Sequence, residues 1–273
     1  MTSGTDHCKV FHRLHESGCF VIPNPWDVGS ARALAGLGFA ALATTSSGFA
    51  WSVGRPDNGV SLEQALRHFQ SLADSVDVPV NGDFEGGFAI APADVAANVA
   101  RATATGVAGL SIEDSTGDRS NPLFDFSLAV ERIQAARTAI DDSGTSVLLT
   151  ARSEGFIVGR PDLAETIRRL TAYAEAGADC LFAPGIRTRD QIVAVVAAVS
   201  PRPVNVLAGS DFATVAELRD MGVRRISVGG ALARTAWTGF LRAAREIAGQ
   251  GSFASLGRAI TFDEMNQLFL TKR

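Results

Sequence analysis

Short apolar runs rich in β-branched residues alternate with longer stretches of helical period along most of the chain. The apolar runs cover 20–24, 40–44, 78–83, 109–113, 147–152, 180–183, 204–208 and 225–229. Helical patterns lie between and after them, over 27–35, 61–75, 92–105, 127–140, 162–176, 189–199, 214–221 and 232–248. Strands that alternate with helices predict a parallel sheet, because each helical crossover returns the chain to the same end of the sheet. Eight such units predict closure into a (β/α)8 TIM barrel, an α/β fold.

The turns from helix to strand repeat one device, a glycine (Gly38, Gly106, Gly177, Gly222) just before the next apolar run. Glycine takes the positive φ that ends a helix, which other residues adopt only at a cost. A doubly wound open sheet is the alternative, but it calls for a glycine-rich phosphate turn after the first strand. Residues 23–27 read Pro-Asn-Pro-Trp-Asp instead. We place the barrel over about 18–249 and a C-terminal helical tail over 250–273, within a single domain of 1–273. The tail carries a short amphipathic segment, 261–270, whose Phe262, Met265, Leu268 and Phe269 are costly to leave in water. They are expected to pack on the barrel or on a neighbouring subunit.

Composition narrows the function classes. The 273 residues are 46% hydrophobic and 20% charged, which suits one large core. A formal charge of -4, spread along the chain, forms no basic patch for nucleic acid or an anionic membrane. Met1 to Lys9 lacks the basic-then-apolar pattern of an export signal, and no apolar run is long enough to span a bilayer. Cys8, Cys19 and Cys180 are widely spaced, without CxxC or zinc-ligand spacing, and read as reduced thiols. Cys180 opens an apolar run and reads as a buried, inert thiol. The expectation is a cytoplasmic protein whose partner is a small molecule.

Barrel enzymes build their sites at the carboxyl ends of the strands, so polar residues there are read first. The second strand ends in Thr44, Thr45, Ser46, Ser47 and Gly48, the third in Asp83 and Glu85, the fourth in Glu113 and Asp114, and the fifth in Arg152 followed by Glu154. Asp57 lies on the long loop after the second strand. Carboxylates from adjacent strand ends repel one another in a shared pocket unless a cation compensates them. Oxygen-only ligands point to a hard ion, and magnesium, which keeps waters and takes few carboxylates, fits Asp83, Glu85 and Glu113. Capping or surface roles are the alternative for these acids. His7, His12, His15 and His68 all fall outside the strand ends, which argues against zinc chemistry or a histidine base. Arg152 closes an otherwise apolar strand, where a guanidinium needs an anion. A substrate carboxylate or phosphonyl group is one partner; a structural salt bridge to Glu113 or Glu154 is the other, and the two roles can coexist. Thr45, Ser46 and Ser47 supply hydroxyls and amides suited to an oxyanion, or simple caps.

These residues resemble the isocitrate lyase and phosphoenolpyruvate mutase superfamily over most of the chain. The resemblance rests on Pro-Asn-Pro-Trp-Asp at 23–27, Thr-Thr-Ser-Ser at 44–47, Gly-Arg-Pro-Asp at 54–57, Pro-Val-Asn-Gly-Asp-Phe-Glu-Gly-Gly-Phe at 79–88, Gly-Leu-Ser-Ile-Glu-Asp at 109–114 and Ala-Arg at 151–152. It implies a magnesium site (manganese being the substitute ion) at Asp83, Glu85 and Glu113, with Asp57 close by. It implies substrate contacts from Thr45, Ser46, Ser47, Trp26 and Arg152, and a homo-oligomer, dimer or tetramer, that exchanges the last barrel helix between subunits. Members of this superfamily stabilise an enolate-like fragment of a 2-oxo acid on the metal while an adjacent C–C or P–C bond breaks or forms.

The chain departs from the C–C lyase branch at one place. That branch carries a Lys-Lys/Arg-Cys-Gly-His loop after the fourth-strand acid, whereas residues 115–122 read Ser-Thr-Gly-Asp-Arg-Ser-Asn-Pro. Isocitrate and methylisocitrate cleavage are therefore disfavoured. Arg119-Ser120-Asn121 lines up with the Lys-x-Asn of the phosphonomutase branch, so Arg119 and Asn121 join Arg152 and Asp57 as candidate catalytic residues, and the loop 115–126 is a candidate lid. Ala183-Pro184-Gly185 replaces the histidine of the mutase, and Glu85 the usual second metal-site Asp, so the substrate, phosphonopyruvate- or oxaloacetate-like, stays open. Two other readings remain. A phosphate-gripping barrel would use the glycines at 208–210 and 228–230, and a catalytically silent 2-oxo-acid binder would keep Asp83 and Arg152 while losing the proton-transfer loop.

Overall fold

The computed structural model describes residues 4–270. Its strands are β1 (Phe20–Ile22), β2 (Leu42–Ala43), β3 (Val80–Asp83), β4 (Gly109–Glu113), β5 (Leu148–Arg152), β6 (Cys180–Phe182), β7 (Val204–Leu207) and β8 (Arg225–Ser227). The hydrogen-bonded order is β1-β8-β7-β6-β5-β4-β3-β2, with every pair parallel. The Ala43 N–H donates to the Pro23 carbonyl at 3.1 Å and draws the two end strands together. The result is a nearly closed (β/α)8 barrel, as the alternation predicts. Pro23 and Pro79, which bring no N–H to a ladder, flank β1 and β3 and help to keep these strands shorter than their apolar runs.

The helices are α1 (Gly4–Glu16), α2 (Val28–Gly36), α3 (Ser46–Ser52), α4 (Leu62–Ala73), α5 (Pro92–Thr103), α6 (Phe126–Asp142), α7 (Leu163–Glu175), α8 (Arg189–Val199), α9 (Val215–Asp220), α10 (Ala231–Gln250) and α11 (Phe262–Leu270). Asp27, Ser61, Asp162, Thr188 and Thr214 cap their helices by accepting from a backbone N–H three residues on. Two helices lie outside the sequence-based expectation. One is α3, where the hydroxyl-rich turn after β2 winds up at once. The other is α1, whose Cys8, Phe11 and His15 form a buried stripe at helical spacing. Phe11 presses against Gly109 on β4, where a Cβ would stand 2.6 Å from its ring, so the glycine makes room for the aromatic plug at the foot of the barrel. Cys8 and Cys180 are buried free thiols, pushed up by burial, and Cys19 is half-buried.

Two histidines are held neutral in this framework. His15 Nδ1 donates to the Phe11 carbonyl at 2.7 Å, leaving Nε2 to accept from Arg225 at 3.3 Å. His68 stacks on Phe49 with ring centroids 3.9 Å apart. Burial, with Arg225 adding to it, pushes His15 down to about 3, and burial pushes His68 down to about 4. Each binds its proton in the unfolded chain, near the ordinary 6.5, before it does so folded. Their contribution to stability is complete above that value and is lost as pH falls toward the folded values. The urea midpoint of the wild type is expected to drop between about pH 6.5 and 4.5, and that of His68→Phe to drop less over the same range. Parallel midpoint curves would remove His68 as a cause.

Beyond the barrel, α10 leaves Trp237, Phe240 and Leu241 exposed, and the tail leaves Phe253, Leu256 and Phe262 exposed, Phe262 at 82%. The α11 helix rests on α2, with Arg32 donating to the Phe269 carbonyl at 3.3 Å. The tail thus docks on its own barrel but keeps an apolar face turned outward, the mark of a protein-binding surface. Removing 251–273, whose last three residues, like Met1 to Ser3, lie outside the described residues, is expected to lower the mass seen by light scattering or to cause aggregation. An unchanged, monodisperse assembly would show that the tail makes no subunit contact.

Candidate active site

Parallel pairing fixes which strand ends meet. Glu113 on β4 pairs in register with Arg152 on β5, and Asp83 closes β3 on the far side of Glu113. The Arg152 guanidinium is gripped by three carboxylates: Asp83 Oδ1 at 2.7 Å, Glu113 Oε2 at 3.0 Å and Glu154 Oε1 at 2.9 Å. The salt bridge to Glu113 or Glu154 weighed from the sequence is thus made to both, and to Asp83 as well. Asp83 is also tied to β2, because Ser46 N–H donates to its Oδ2 at 3.0 Å and its own N–H donates to Thr44 Oγ1 at 2.8 Å. Thr45 is the N-cap of α3, accepting from the Gly48 N–H at 3.3 Å, and its hydroxyl meets that of Ser47 at 3.1 Å. The capping alternative therefore holds for Thr45, and the Ser46 amide already serves a carboxylate.

These residues surround a cavity of about 330 Å³ at the carboxyl ends of the strands, lined by Asp57, Asp83, Glu113, Arg152 and Glu154 together with Thr45, Ser46 and Ser47. The electrostatics are one-sided. Burial pushes Asp57 up, with Asp83 adding to it. Burial and then the charges of Asp83 and Asp57 push Glu85 up to about 8. Burial holds Glu113 well above the usual carboxylate range against the pull of Arg152, and Glu154 is raised in the same way. For Arg152, burial acts downward, but Glu113, Glu154 and Asp83 overcome it and keep the guanidinium charged.

Glu85 sits just beyond β3 in a left-handed backbone conformation, φ 47°, and its Oε1 is buried without a hydrogen-bond partner. An orphaned carboxylate oxygen among raised acids fits a cation. The fit has one correction. Among the described residues no three His, Cys, Asp or Glu side chains converge as a ready ligand set. Arg152 stands between Asp83 and Glu113, so Asp83, Glu85 and Glu113 do not form a joint three-carboxylate cage. An ion here would take one or two carboxylates plus water and substrate oxygens, the habit of magnesium.

Four expected residues are not on the cavity wall: Glu85, which lies behind it just beyond β3, and Trp26, Arg119 and Asn121, which lie farther off. Trp26 is not on this cavity; it lines a separate cleft with Phe49 and His68, backing the β2–α3 turn where its Cβ packs on Gly48. Neither Arg119 nor Asn121 reaches the cavity. Their loop folds on itself through a Ser115–Leu123 bridge and a Thr116 hydroxyl donating to the Asn121 carbonyl at 2.5 Å, and Asn121 faces a second cleft beside Arg160 and Arg169. The physical reason is local: the loop satisfies its own polar groups. Asp114, next to Glu113, turns away and accepts from Tyr173 Oη at 2.7 Å, Arg169 at 3.1 Å and the Glu154 N–H at 2.8 Å, so it braces the site. The glycine turn after β8 is occupied internally, since Val228 and Gly229 N–H both donate to Asn24 Oδ1, at 2.9 and 2.8 Å. That leaves the phosphate-gripping reading without these donors.

The sequence reading missed the floor of the cavity, formed by Asn81, Ser111, Asn205, Arg225 and Ser227. Each is a polar residue at an inward position of an otherwise apolar strand, and strict alternation along β7 and β8 was the signal that marked them.

The phosphoenolpyruvate phosphomutase family matches the chain over residues 11–248. The protein Rv1998c of Mycobacterium tuberculosis is 34% identical over 221 residues, spanning 80% of this chain and 81% of its own. A solved structure of a Burkholderia cenocepacia J2315 protein is 45% identical, covers 98% of this chain and 97% of that one, and superposes with a TM-score of 0.94. The structure of oxaloacetate acetylhydrolase in complex with its product oxalate is 26% identical, covers 97% and 93% of the two chains, and gives a TM-score of 0.85.

Proposed function

The chain belongs to the phosphoenolpyruvate phosphomutase family, and from that premise we propose that it is a magnesium-dependent enzyme that breaks or forms a C–C or P–C bond beside the 2-oxo group of a small acid. The family comprises lyases and mutases of 2-oxo acids. The observation that carries the reading is the strand-end cluster, in which three acids share one guanidinium while Asp57 and Glu85, both raised by burial, have no such partner among the described residues, and Glu85 keeps an unpaired buried oxygen. One or two of Asp83, Glu85 and Glu113 would hold the ion, together with water and substrate oxygens, with Asp57 beside it. Bound there, magnesium supplies a Lewis acid that favours negative charge on the 2-oxygen.

The chain's own residues do the rest. Arg152 presents a fixed cation to the substrate carboxylate, its orientation set by Glu113 and Glu154. The hydroxyls of Thr45 and Ser47 and the start of α3 face the same cavity and receive the other carboxylate oxygen. The loop 115–126 closes over the cavity and excludes water, bringing Arg119 and Asn121 to the departing group. The protein acts as one domain in a cytoplasmic homo-oligomer completed through the outward face of α10 and the tail, with no part for nucleic acid or membrane; no helix among the described residues is long and apolar enough to cross one.

The test is turnover of a panel of phosphonopyruvate- and oxaloacetate-like 2-oxo acids with and without magnesium. Magnesium-dependent conversion of one member supports the proposal. Tight binding without conversion supports the silent binder instead, and failure of the wild type both to turn over the panel and to bind oxalate overturns the assignment. If the lid reading holds, Arg119→Ala and Asn121→Ala lower kcat by more than about tenfold, or about 1.4 kcal/mol of barrier, with little change in magnesium affinity. Wild-type rates in both variants would reduce the loop to a connector.

A further inference from the structure

The cavity does not stop at the strand-end acids. It continues down the barrel axis to a floor built from β3, β4, β7 and β8, where Asn81, Ser111, Asn205, Arg225 and Ser227 line it. Arg225 is the unusual member. Its guanidinium is buried, 3% exposed, and among the described residues no carboxylate pairs with it. Its partners are all neutral: Asn205 Oδ1 accepts from Nε at 2.9 Å, Thr150 Oγ1 from Nη2 at 3.1 Å and His15 Nε2 from Nη1 at 3.3 Å. These bonds use one N–H on each nitrogen and leave a second N–H on each terminal nitrogen. Asn205 in turn donates to Ser227 Oγ at 2.9 Å, which fixes the amide so that its oxygen stays on the arginine. On the opposite wall, Asn81 is 3% exposed and its Oδ1 has no hydrogen-bond partner.

A buried cation without a counter-charge is strongly disfavoured unless something else supplies the negative charge. The neighbouring acids do not: Asp83, Glu113 and Glu154 are all committed to Arg152. We propose that the barrel floor is an anion subsite, in which Arg225, with Ser227 on the same strand and Ser111 lining the same cavity from β4, receives a second anionic group of the substrate. This rests on the reading of the strand ends as the place where the 2-oxo acid moiety binds. What it adds is the place of the second anionic group, on Arg225 at the floor of a cavity of about 330 Å³, rather than at the strand ends. The unpaired Asn81 oxygen, an acceptor only, suits an O–H donor on the ligand, a hydroxyl or a bound water, beside the anion.

Binding measured by calorimetry in the presence of magnesium tests the subsite with four probes: oxalate, too short to reach from the strand ends to the floor, pyruvate, and the 2-oxo diacids of four and of five carbons. The wild type is expected to bind one of the diacids at least tenfold more tightly than pyruvate. Asn205→Asp places a carboxylate on the Arg225 Nε, neutralises the floor without removing volume, and is expected to erase that preference while oxalate affinity stays within threefold. Arg225→Met is expected to do the same where it folds; the Asn205→Asp result decides where it does not. Equal affinity for pyruvate and the diacids in the wild type, or a diacid preference that survives Asn205→Asp, overturns the subsite and leaves the strand-end assignment standing. No magnesium-dependent oxalate binding by the wild type overturns both.

Discussion

Asp83→Asn is expected to lower turnover by about 10⁴-fold or more, on the order of 5.5 kcal/mol of barrier, and to weaken magnesium at least about 100-fold, while the barrel still folds. The substitution keeps the shape of the side chain and removes its charge. Both oxygens of Asp83 accept from donors, Oδ1 from Arg152 at 2.7 Å and Oδ2 from the Ser46 N–H at 3.0 Å. An amide has one oxygen and one NH2, so either orientation sets a donor against a donor. The group left facing a donor loses about 1–3 kcal/mol, and Arg152 or the start of α3 shifts in response. Since the same carboxylate is the central acid of the proposed ion site, metal affinity falls together with rate. A calorimetric titration of magnesium into the variant checks this, and wild-type affinity would dissociate Asp83 from the metal.

Arg152→Met is expected to abolish activity and to destabilise the protein by about 3–5 kcal/mol at neutral pH, because Asp83, Glu113 and Glu154 lose the cation that compensates them. The pH dependence of that loss has a definite sign. Burial already holds Glu113 and Glu154 above the ordinary carboxylate value, and removing Arg152, which pulls both down, raises them further. Carboxyls raised on folding bind protons more tightly in the native state, so they favour folding at low pH and oppose it as pH rises through their folded values. The variant is therefore expected to recover stability relative to the wild type as pH falls from about 8 to about 5.5. Urea midpoints of both proteins at the two pH values check it. A deficit that stays constant or grows on acidification would mean that these carboxylates do not carry the effect.

Much of this architecture was legible along the chain. All eight strands and the eight barrel helices after them follow from hydrophobic period and from glycines at the turns, since burying one face of each element is a local demand that local pattern records. Trp26 and the residues Arg119 and Asn121 show where that legibility ends. They stand in the motifs, but a motif says which residues lie near a strand end, and loop hydrogen bonding and side-chain direction decide whether they enter the cavity. The fit of α1 beneath the barrel depends likewise on Gly109, a contact across about a hundred residues.

What the amino-acid order determined alone is the fold class and the identity of the acids at the ends of β3 and β4 and of the arginine at the end of β5, because strand ends in a parallel barrel converge whatever the side chains are. Tertiary structure alone decided that Arg152 sits among three carboxylates, that Ser46 serves Asp83, and that Arg225 stands without a counter-charge on the barrel floor. Those facts depend on angstrom-scale distances between strands far apart in the chain. Coulomb energy and desolvation respond to such distances, and the spacing of residues in a sequence carries no record of them.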